Sequence, residues 1–186
     1  MAVENGVIEI ESDKRIALLI AILALFLAIF ETGAKSAQTE AISQNVEATN
    51  LWAFYQARTV RQTTVRTAAD AAELQKAATA DPAARAAIEA QQKAWRDQAT
   101  GWESNKVDGR KELTEKAHAT EESRERSMAK YHFYEYAAAL LQVAIVIASA
   151  SIITSIPPLA VLSILLAVGG VALGGIGFFA PQMIHL

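Results

Sequence analysis

Three long uncharged stretches dominate the pattern of hydrophobic and polar positions along this chain. Residues 16–30 are fifteen apolar residues in a row, and residues 137–156 and 159–180 contain no charge over twenty and twenty-two positions. A helix needs roughly 20 predominantly apolar residues to cross the hydrocarbon core of a bilayer. The second and third stretches meet this length as they stand, and the first meets it when residues 32–37 complete the helix. The pattern therefore predicts an integral membrane protein with three spans.

Each uncharged stretch has the composition of a helix and not of a barrel strand. Leu, Ile and Ala dominate, and the stretches are longer than the roughly 9–11 residues of a membrane strand. Pro157 and Pro158 separate the second stretch from the third. A proline lacks the backbone N–H that a helix interior needs, and the residue before it avoids the helical region. We therefore predict that the second and third spans form a helical hairpin within the membrane.

The polar middle of the chain is predicted to be helical over almost its whole length. Residues 31–80 contain no proline and are rich in alanine and other strong helix formers. Asp81 followed by Pro82 has the pattern of an N-cap and a first helical position, so one helix ends and another begins there. Residues 82–136 then match the first arm in length. The two arms predict an antiparallel helical hairpin outside the membrane, with a kink or short loop at residues 104–109.

Apolar residues at three- and four-residue steps suggest how the two arms pack. On the return arm, Ile88, Trp95 and Trp102 are seven residues apart, and Ala99 lies between the last two. The corresponding seam of the first arm comprises Ile42, Val46, Thr49, Ala53, Val60, Thr67 and Leu74. Heptad spacing puts such residues on one helix face. Because small and polar residues occupy many of these positions, a lone hairpin would be marginal, and we expect it to pack against further copies of the chain.

The predicted architecture is an all-α membrane protein: three transmembrane helices with a long extramembrane antiparallel helical hairpin between the first and second. The segments are an N-terminal tail (residues 1–15), transmembrane helix 1 (16–37), the extramembrane hairpin (38–136), transmembrane helix 2 (137–156) and transmembrane helix 3 (159–180). Three spans put the two ends of the chain on opposite sides of the membrane.

The charges beside the first span predict its orientation. Lys14 and Arg15 lie at the N-terminal edge of the span, and short flanks rich in Lys and Arg stay in the cytoplasm. The acidic leader before them differs from the positive n-region of a cleaved signal peptide, so we interpret the first span as a retained anchor. We expect the N-terminus in the cytoplasm and the hairpin on the periplasmic or lumenal side.

Composition argues against several kinds of site. The chain has no cysteine, which removes disulfides, thiolate zinc sites and a cysteine nucleophile. Residues 31–136 carry sixteen acids and fifteen bases and lack the basic stripe that nucleic-acid binding needs. His118, His132 and His185 are isolated, and no phosphate-binding loop, nucleophile elbow or zinc helix motif occurs. We therefore predict no catalytic, cofactor-binding or metal site, no cofactor and no nucleic-acid partner.

The most distinctive local string is Asn-Leu-Trp-Ala-Phe-Tyr-Gln-Ala-Arg at residues 50–58. Trp52 and Tyr55 are three residues apart and share a helix face, and Trp, Tyr and Arg are typical anchors of protein interfaces. The string could dock an external partner or form the interior of the hairpin. We favour packing within or between subunits, and we assign Trp95 and Trp102 the same role.

Small and polar residues mark contact faces in the spans. Gly170 and Gly174 have the spacing that lets helix backbones approach closely, and Ala144 and Ala148 offer a matching small face. Gln142 is a polar side chain inside the second span, for which an interhelical hydrogen bond is favoured over a transport pathway. The spacing leaves open whether these faces join spans of one chain or different subunits, and we expect both.

The aromatic string, the run before it and the later spans resemble a family of bacterial inner-membrane proteins with a domain of unknown function. Their typical pattern is a Gln-Trp-Ala-Tyr-Tyr-Gln-Ala-Lys type of string, a charged helical domain and two further spans. The matching residues here are Trp52, Ala53, Tyr55, Gln56, Ala57, Leu141 and Gln142. The turn between the last two spans departs from the pattern, because it is Ser-Ile-Pro-Pro where relatives are often basic. The resemblance implies three spans in a bacterial inner, or intracytoplasmic, membrane and no known activity.

Three functional hypotheses follow from these features. The leading one is a non-enzymatic, self-assembling structural or scaffolding homo-oligomer, whose partners are the lipid bilayer and copies of itself. The alternative is an accessory subunit or adaptor that binds a larger membrane complex through the hairpin. A channel or transporter ranks third, because the spans contain no charge beyond Glu31 at the rim, and an enzyme ranks last.

Overall fold

The structure is all-α and contains three helices that can cross a membrane. This computed structural model describes residues 2–182, with the side chains of residues 14–182, and no strand occurs within that part of the chain. The helices are α1 (Ala2–Ala78), α2 (Pro82–Ser104), α3 (Arg110–Thr154) and α4 (Pro157–Phe179). The first, third and fourth are long and apolar enough to span a bilayer. The predicted fold class is therefore confirmed, and α1 runs without a break from the first uncharged stretch into the hairpin.

Local signals in the sequence explain where the helices end. The Asp81 side chain accepts a hydrogen bond from the backbone N–H of Ala83 at 3.1 Å and so caps α2. After α3, Ser155 adopts a positive φ of 51°, and Pro157 then begins α4. The predicted turn at Asp81, the interruption at residues 104–109 and the proline turn are all confirmed.

The interruption between α2 and α3 leaves no room for a side chain at Gly109. The backbone N–H of Gly109 donates to the carbonyl of Asn105 at 2.9 Å. A Cβ added at Gly109 would lie 2.4 Å from that same carbonyl oxygen. Glycine is therefore required here by close backbone approach.

The chain forms two compact units that are described separately. The first comprises residues 1–42 and 124–186, and the second comprises residues 43–123. The second unit is thus shorter at both ends than the predicted extramembrane segment, residues 38–136.

The first unit packs the N-terminal part of α1 against α3 and α4. Its core cluster consists of Leu23, Leu141, Ala144 and Ala167. The Ser163 hydroxyl donates to the carbonyl of Ala144 at 2.8 Å, which satisfies a polar group inside the core. Later residues of α4 contact earlier residues of α3, so the two helices are antiparallel.

The second unit packs the C-terminal part of α1 against α2 and the first turns of α3. Gln62 Nε2 donates to the carbonyl of Ala99 on α2 at 2.9 Å. Gln44 Nε2 donates to the hydroxyl of Ser123 on α3 at 2.9 Å. Residue numbers rise along α1 as they fall along its partners, which is the antiparallel hairpin that the sequence predicted.

The buried seam of α1 in this unit differs from the predicted one. A strict seven-residue repeat of buried or half-buried positions runs through Gln44, Ala48, Leu51, Tyr55, Arg58, Gln62, Val65, Ala69 and Ala72. The seam predicted for the first arm is wrong, because all its residues are exposed: Ile42, Val46, Thr49, Ala53, Val60, Thr67 and Leu74. Alanine lets the helices lie close together, and glutamine reaches the backbone of the partner helix. On the return arm, Ile88, Trp95 and Trp102 are half-buried and Ala99 is buried, as predicted.

Candidate functional site: the packing faces of the helices

The glycine face of α4 is occupied within the chain. Gly170 and Gly174 are both buried. A Cβ at Gly170 would lie 3.1 Å from the carbonyl oxygen of Ala137, and a Cβ at Gly174 would lie 2.2 Å from the ring of Phe30. The missing side chains therefore let α4 approach α3 and α1 closely.

Ala144 and Ala148 form the small face of α3, and neither has exposed surface. Ala144 also accepts the hydrogen bond from Ser163 of α4. Ala144 and Gly170 thus each contact the other's helix inside a single subunit, and Ala148 is covered in the same subunit. A contact between subunits has to use other faces.

Gln142 joins α3 to α1 on the outside of the first unit. Its Nε2 donates to Glu31 Oε1 at 3.0 Å, and both side chains are exposed. Gln142 is the sixth residue of the uncharged segment 137–156, which puts it roughly 8 Å inside that segment along the helix axis. The pair therefore leaves polar atoms uncovered beside the spans.

A polar cluster in the second unit lies beside the interruption between α2 and α3. Arg110 Nη2 donates to the Tyr55 hydroxyl at 2.7 Å, and Arg110 Nη1 donates to Gln62 Oε1 at 2.9 Å. Arg110 Nη1 also lies 3.0 Å from Glu103 Oε2, and the guanidinium carbon lies 5.0 Å from the centre of the Tyr55 ring. One arginine side chain thus connects α1, α2 and α3.

Two tryptophans of the predicted set lie beside this cluster. The guanidinium carbon of Arg58 is 6.0 Å from the centre of the Trp102 ring, and Arg58 forms an ion pair with Asp108 in the interruption. Trp52 Nε1 donates to Glu121 Oε1 at 2.8 Å. Trp52, Tyr55 and Arg58 of the aromatic string therefore make contacts inside the hairpin, whereas Phe54 is 67% exposed.

Each of the two described histidines lies near one glutamate. His118 Nδ1 lies 3.0 Å from Glu121 Oε2, and His132 Nδ1 lies 3.9 Å from Glu135 Oε2. Among the residues whose side chains are described, no group of three or more His, Cys, Asp or Glu is placed to hold a metal ion. His185 lies outside the described residues.

Two carboxylates of the hairpin are held in their charged form by neighbours. The hydrogen bond from Gln62, with the charge of Arg110, lowers the pKa of Glu103 below its usual value of 4.5. The hydrogen bond from Gln92 and the charge of Lys76 likewise lower the pKa of Glu73. A carboxylate with a lowered pKa in the folded state stabilises that state above its unfolded-state pKa, and this contribution is lost as pH falls through the folded-state pKa.

We therefore expect the hairpin to lose stability as the pH falls below about 4.5, the usual glutamate value. Thermal unfolding, followed by tryptophan fluorescence between pH 7 and pH 3, measures this, because all three tryptophans lie in the second unit. Glu103→Gln should flatten the dependence, whereas Glu115→Gln, on a 63% exposed side chain of α3, should leave it unchanged. Identical pH profiles for the two variants would contradict the assignment.

The face of α1 opposite its buried seam leaves large apolar side chains uncovered. Val46, Val60 and Leu74 are 56%, 65% and 76% exposed. They recur with Ala53 and Thr67 every seven residues, and these five residues are called the apolar stripe below. A row of exposed apolar side chains of this kind is typical of an interaction surface.

An open groove of about 500 Å³ lies along one edge of the α1–α2 pair. Its lining is uncharged and includes Ala68, Ala71, Ala72, Ala87, Ile88 and Trp95. This alanine groove is where Trp95 of the predicted set lies. The other edge of the same helix pair is lined by Arg66, Asp70 and Arg96.

Sequence reasoning missed Arg110 and Gln62 as contact residues. Gln62 repeats the heptad positions of Ala48, Tyr55 and Ala69, and this spacing is the signal that could have pointed to it. No comparable signal marks Arg110, because its partners come from two other helices.

Comparisons with known proteins identify a family. No curated protein and no solved structure matches the chain. The family described as a domain of unknown function (DUF4337) matches residues 12–180, which include all three long uncharged stretches. The chain therefore belongs to the DUF4337 family.

Proposed function

We propose that this protein is a non-enzymatic structural component of a bacterial inner or intracytoplasmic membrane that assembles into a homo-oligomer. The apolar stripe carries the proposal. Scattered exposed apolar residues are ordinary, but a heptad row opposite an already buried seam is typical of a helix that packs against a second partner. The family membership is compatible with this role and adds no activity to it.

The Glu31–Gln142 pair supports self-association from within the membrane. Both side chains are exposed on the first unit, so in an isolated subunit the pair would lie uncovered between the rim of the membrane and the hydrocarbon that surrounds the spans. Polar groups in lipid are stabilised when another helix covers and hydrogen-bonds them. Lys14 and Arg15 support an N-terminus in the cytoplasm, which would place the hairpin on the periplasmic or lumenal side.

Native mass spectrometry of the protein extracted in its own lipid tests the proposal. We expect a discrete multiple of 20.0 kDa with no other chain bound. A mass of one chain would overturn the proposal. One copy bound to a different protein would also overturn it and would make the chain an adaptor.

Substitutions in the apolar stripe test whether this surface forms the contact between copies. The double substitution of Val60→Glu and Leu74→Glu should shift the mass from that of the multimer to that of a single chain, because the two glutamates put negative charges into the contact. Both positions are exposed, so helicity and tryptophan fluorescence should stay as in the unaltered protein. The control Lys93→Glu changes an exposed residue of α2 away from the stripe and should leave the multimer intact. Equal masses for the stripe variant and the control would mean that the stripe is not part of the interface.

A further inference from the structure

A second seam runs along α1 outside its buried seam. Every seventh residue from Leu18 to Leu74, and every seventh residue from Ile22 to Ala71, is exposed. These seventeen positions are alternately four and three residues apart and are called the outer seam below. The apolar stripe is the later part of the first series. The outer seam therefore continues the apolar stripe back along α1 into its membrane-spanning part.

The outer seam contains no charged residue. Nine charged residues lie between Leu18 and Leu74, and all of them occupy other positions. The seam consists of Leu and Ile in the uncharged stretch and of Ala, Val, Thr, Ser, Leu and one Asn after it. A helix face that stays in water has no reason to exclude charge, whereas the interior of a coiled coil excludes it. The pattern therefore indicates a face that another helix covers.

The seven-residue spacing indicates what kind of partner fits the outer seam. The buried seam of α1 also repeats every seven residues from Gln44 to Ala72, so the two seams keep a constant angle to each other around the helix. A partner helix stays in contact with such a seam when it lies alongside α1 and follows the same repeat. The outer seam of a second copy of α1 has this repeat over the same length.

Charges beside the outer seam are complementary in a parallel pair. Copies in one bilayer have the same orientation, so their α1 helices run parallel. In a parallel coiled coil, residues that flank the seam on its two sides, five positions apart, meet across the pair. Lys35 and Glu40 flank the outer seam in this way, and both are exposed. Lys35 of each copy therefore meets Glu40 of the other copy.

The length of the outer seam supplies the area that a stable interface needs. Residues 18–74 belong to one helix and extend over about 85 Å. A helix is roughly 10 Å wide, so one pair of outer seams covers on the order of 850 Å² per partner. A standard stable interface covers about 800 Å² per partner. One contact along this seam is therefore large enough to join two copies.

We propose that copies of this chain assemble through their α1 helices, which pair in parallel and in register along the outer seam. The inference rests on the proposed self-assembly and names its contact. Asn50 lies within the seam, and an asparagine at one such position holds parallel helices in register at some cost in stability. The same residues of two copies therefore lie opposite each other from Leu18 to Leu74.

Disulfide cross-linking tests this arrangement directly, because the natural chain contains no cysteine. Thr39→Cys and Thr67→Cys each put a thiol at an exposed position of the outer seam, one in each of the two compact units. Gln38→Cys and Arg66→Cys are the matched controls, because they are exposed neighbours outside the seam. After oxidation in native membranes, we expect each seam variant to form a dimer with itself, with little cross-linking of the controls.

The other outcomes separate this inference from the proposed function. Equal cross-linking of the seam variants and the controls would overturn the contact. Cross-linking at only one of the two seam positions would also overturn it, because the helices would then not pair in register along the seam. No cross-link, in a protein that keeps its multimeric mass, would overturn the contact and leave self-assembly standing. No cross-link with a single-chain mass would overturn both.

A reversal of charges tests the parallel pairing without cysteines. Lys35→Glu should weaken assembly roughly fivefold, because it places a glutamate of one copy opposite Glu40 of the other. The double variant Lys35→Glu with Glu40→Lys restores opposite charges and should recover the strength of assembly. The readout is the detergent concentration at which the multimeric mass is lost. If Lys35→Glu has no effect, or if the double variant is as weak as Lys35→Glu, the parallel pairing is overturned.

Discussion

Gly177→Ala should loosen the three-helix unit more than any other single-methyl addition in α4. A Cβ at this position would lie 2.6 Å from the Cβ of Phe133, whose side chain is almost fully buried. The clash involves an atom next to the backbone, so rotating a ring cannot relieve it, and α4 has to move away from α3. Overpacking of this kind costs about 1–3 kcal/mol.

Gly175→Ala is the matched control for this substitution. It adds the same methyl group two residues earlier, where no atom outside the adjoining helix backbone lies within 4 Å, so its effect should be close to zero. The readout is the alkylation rate of a cysteine introduced by Ser163→Cys, a fully buried position in the same helix. The rate should rise about 5- to 150-fold with Gly177→Ala, since 1.4 kcal/mol corresponds to tenfold. Equal rates in the two backgrounds would mean that α4 does not pack on α3 through this face.

Arg110→Met should destabilise the hairpin by about 2–4 kcal/mol. The substitution removes the donors that reach the Tyr55 hydroxyl, Gln62 Oε1 and Glu103 Oε2. Gln62 is 2% exposed, so water cannot easily replace the lost partner of its carbonyl oxygen. Methionine keeps much of the apolar part of the arginine side chain. The loss of stability therefore reports the contacts of the guanidinium group.

Urea unfolding followed by tryptophan fluorescence measures this effect in the second unit. Arg96→Met is the matched control, because that arginine is 56% exposed. Its Nη2 atom lies 4.0 Å from a carboxylate oxygen of Asp70 and 4.0 Å from one of Glu73. Exposed ion pairs contribute about 0–1 kcal/mol, so the control should lose little stability. If Arg96→Met cost as much as Arg110→Met, the cluster would not be what joins the three helices.

Helix boundaries were predictable because their causes are local. Asp81 accepts a hydrogen bond from the chain two residues later, and Pro157 cannot continue a preceding helix wherever the chain lies. The uncharged stretches likewise require only their own length and composition to predict spans. The heptad of Ile88, Trp95 and Trp102 also pointed correctly to an interior face, because each is larger and more apolar than its neighbours.

Choosing the most apolar residues of α1 could not predict which of them form the buried seam. Ala48, Gln62 and Ala69 are buried, whereas Val60 and Leu74 are exposed. Alanine occurs on every face of this arm, so its burial depends on how closely the partner helix approaches. That distance is a property of the pair of helices and not of either helix alone.

The sequence by itself determined the helical class, the three segments able to span a membrane and the places where helices end, because hydropathy, capping and proline act within a few residues. Tertiary structure alone decided which face of each helix is covered. It brought Arg110 to Tyr55 across 55 positions of sequence and Gln142 to Glu31 across 111. It also left the apolar stripe and the alanine groove open, because burial depends on the distance and rotation of neighbouring helices, which are set by packing over the whole unit.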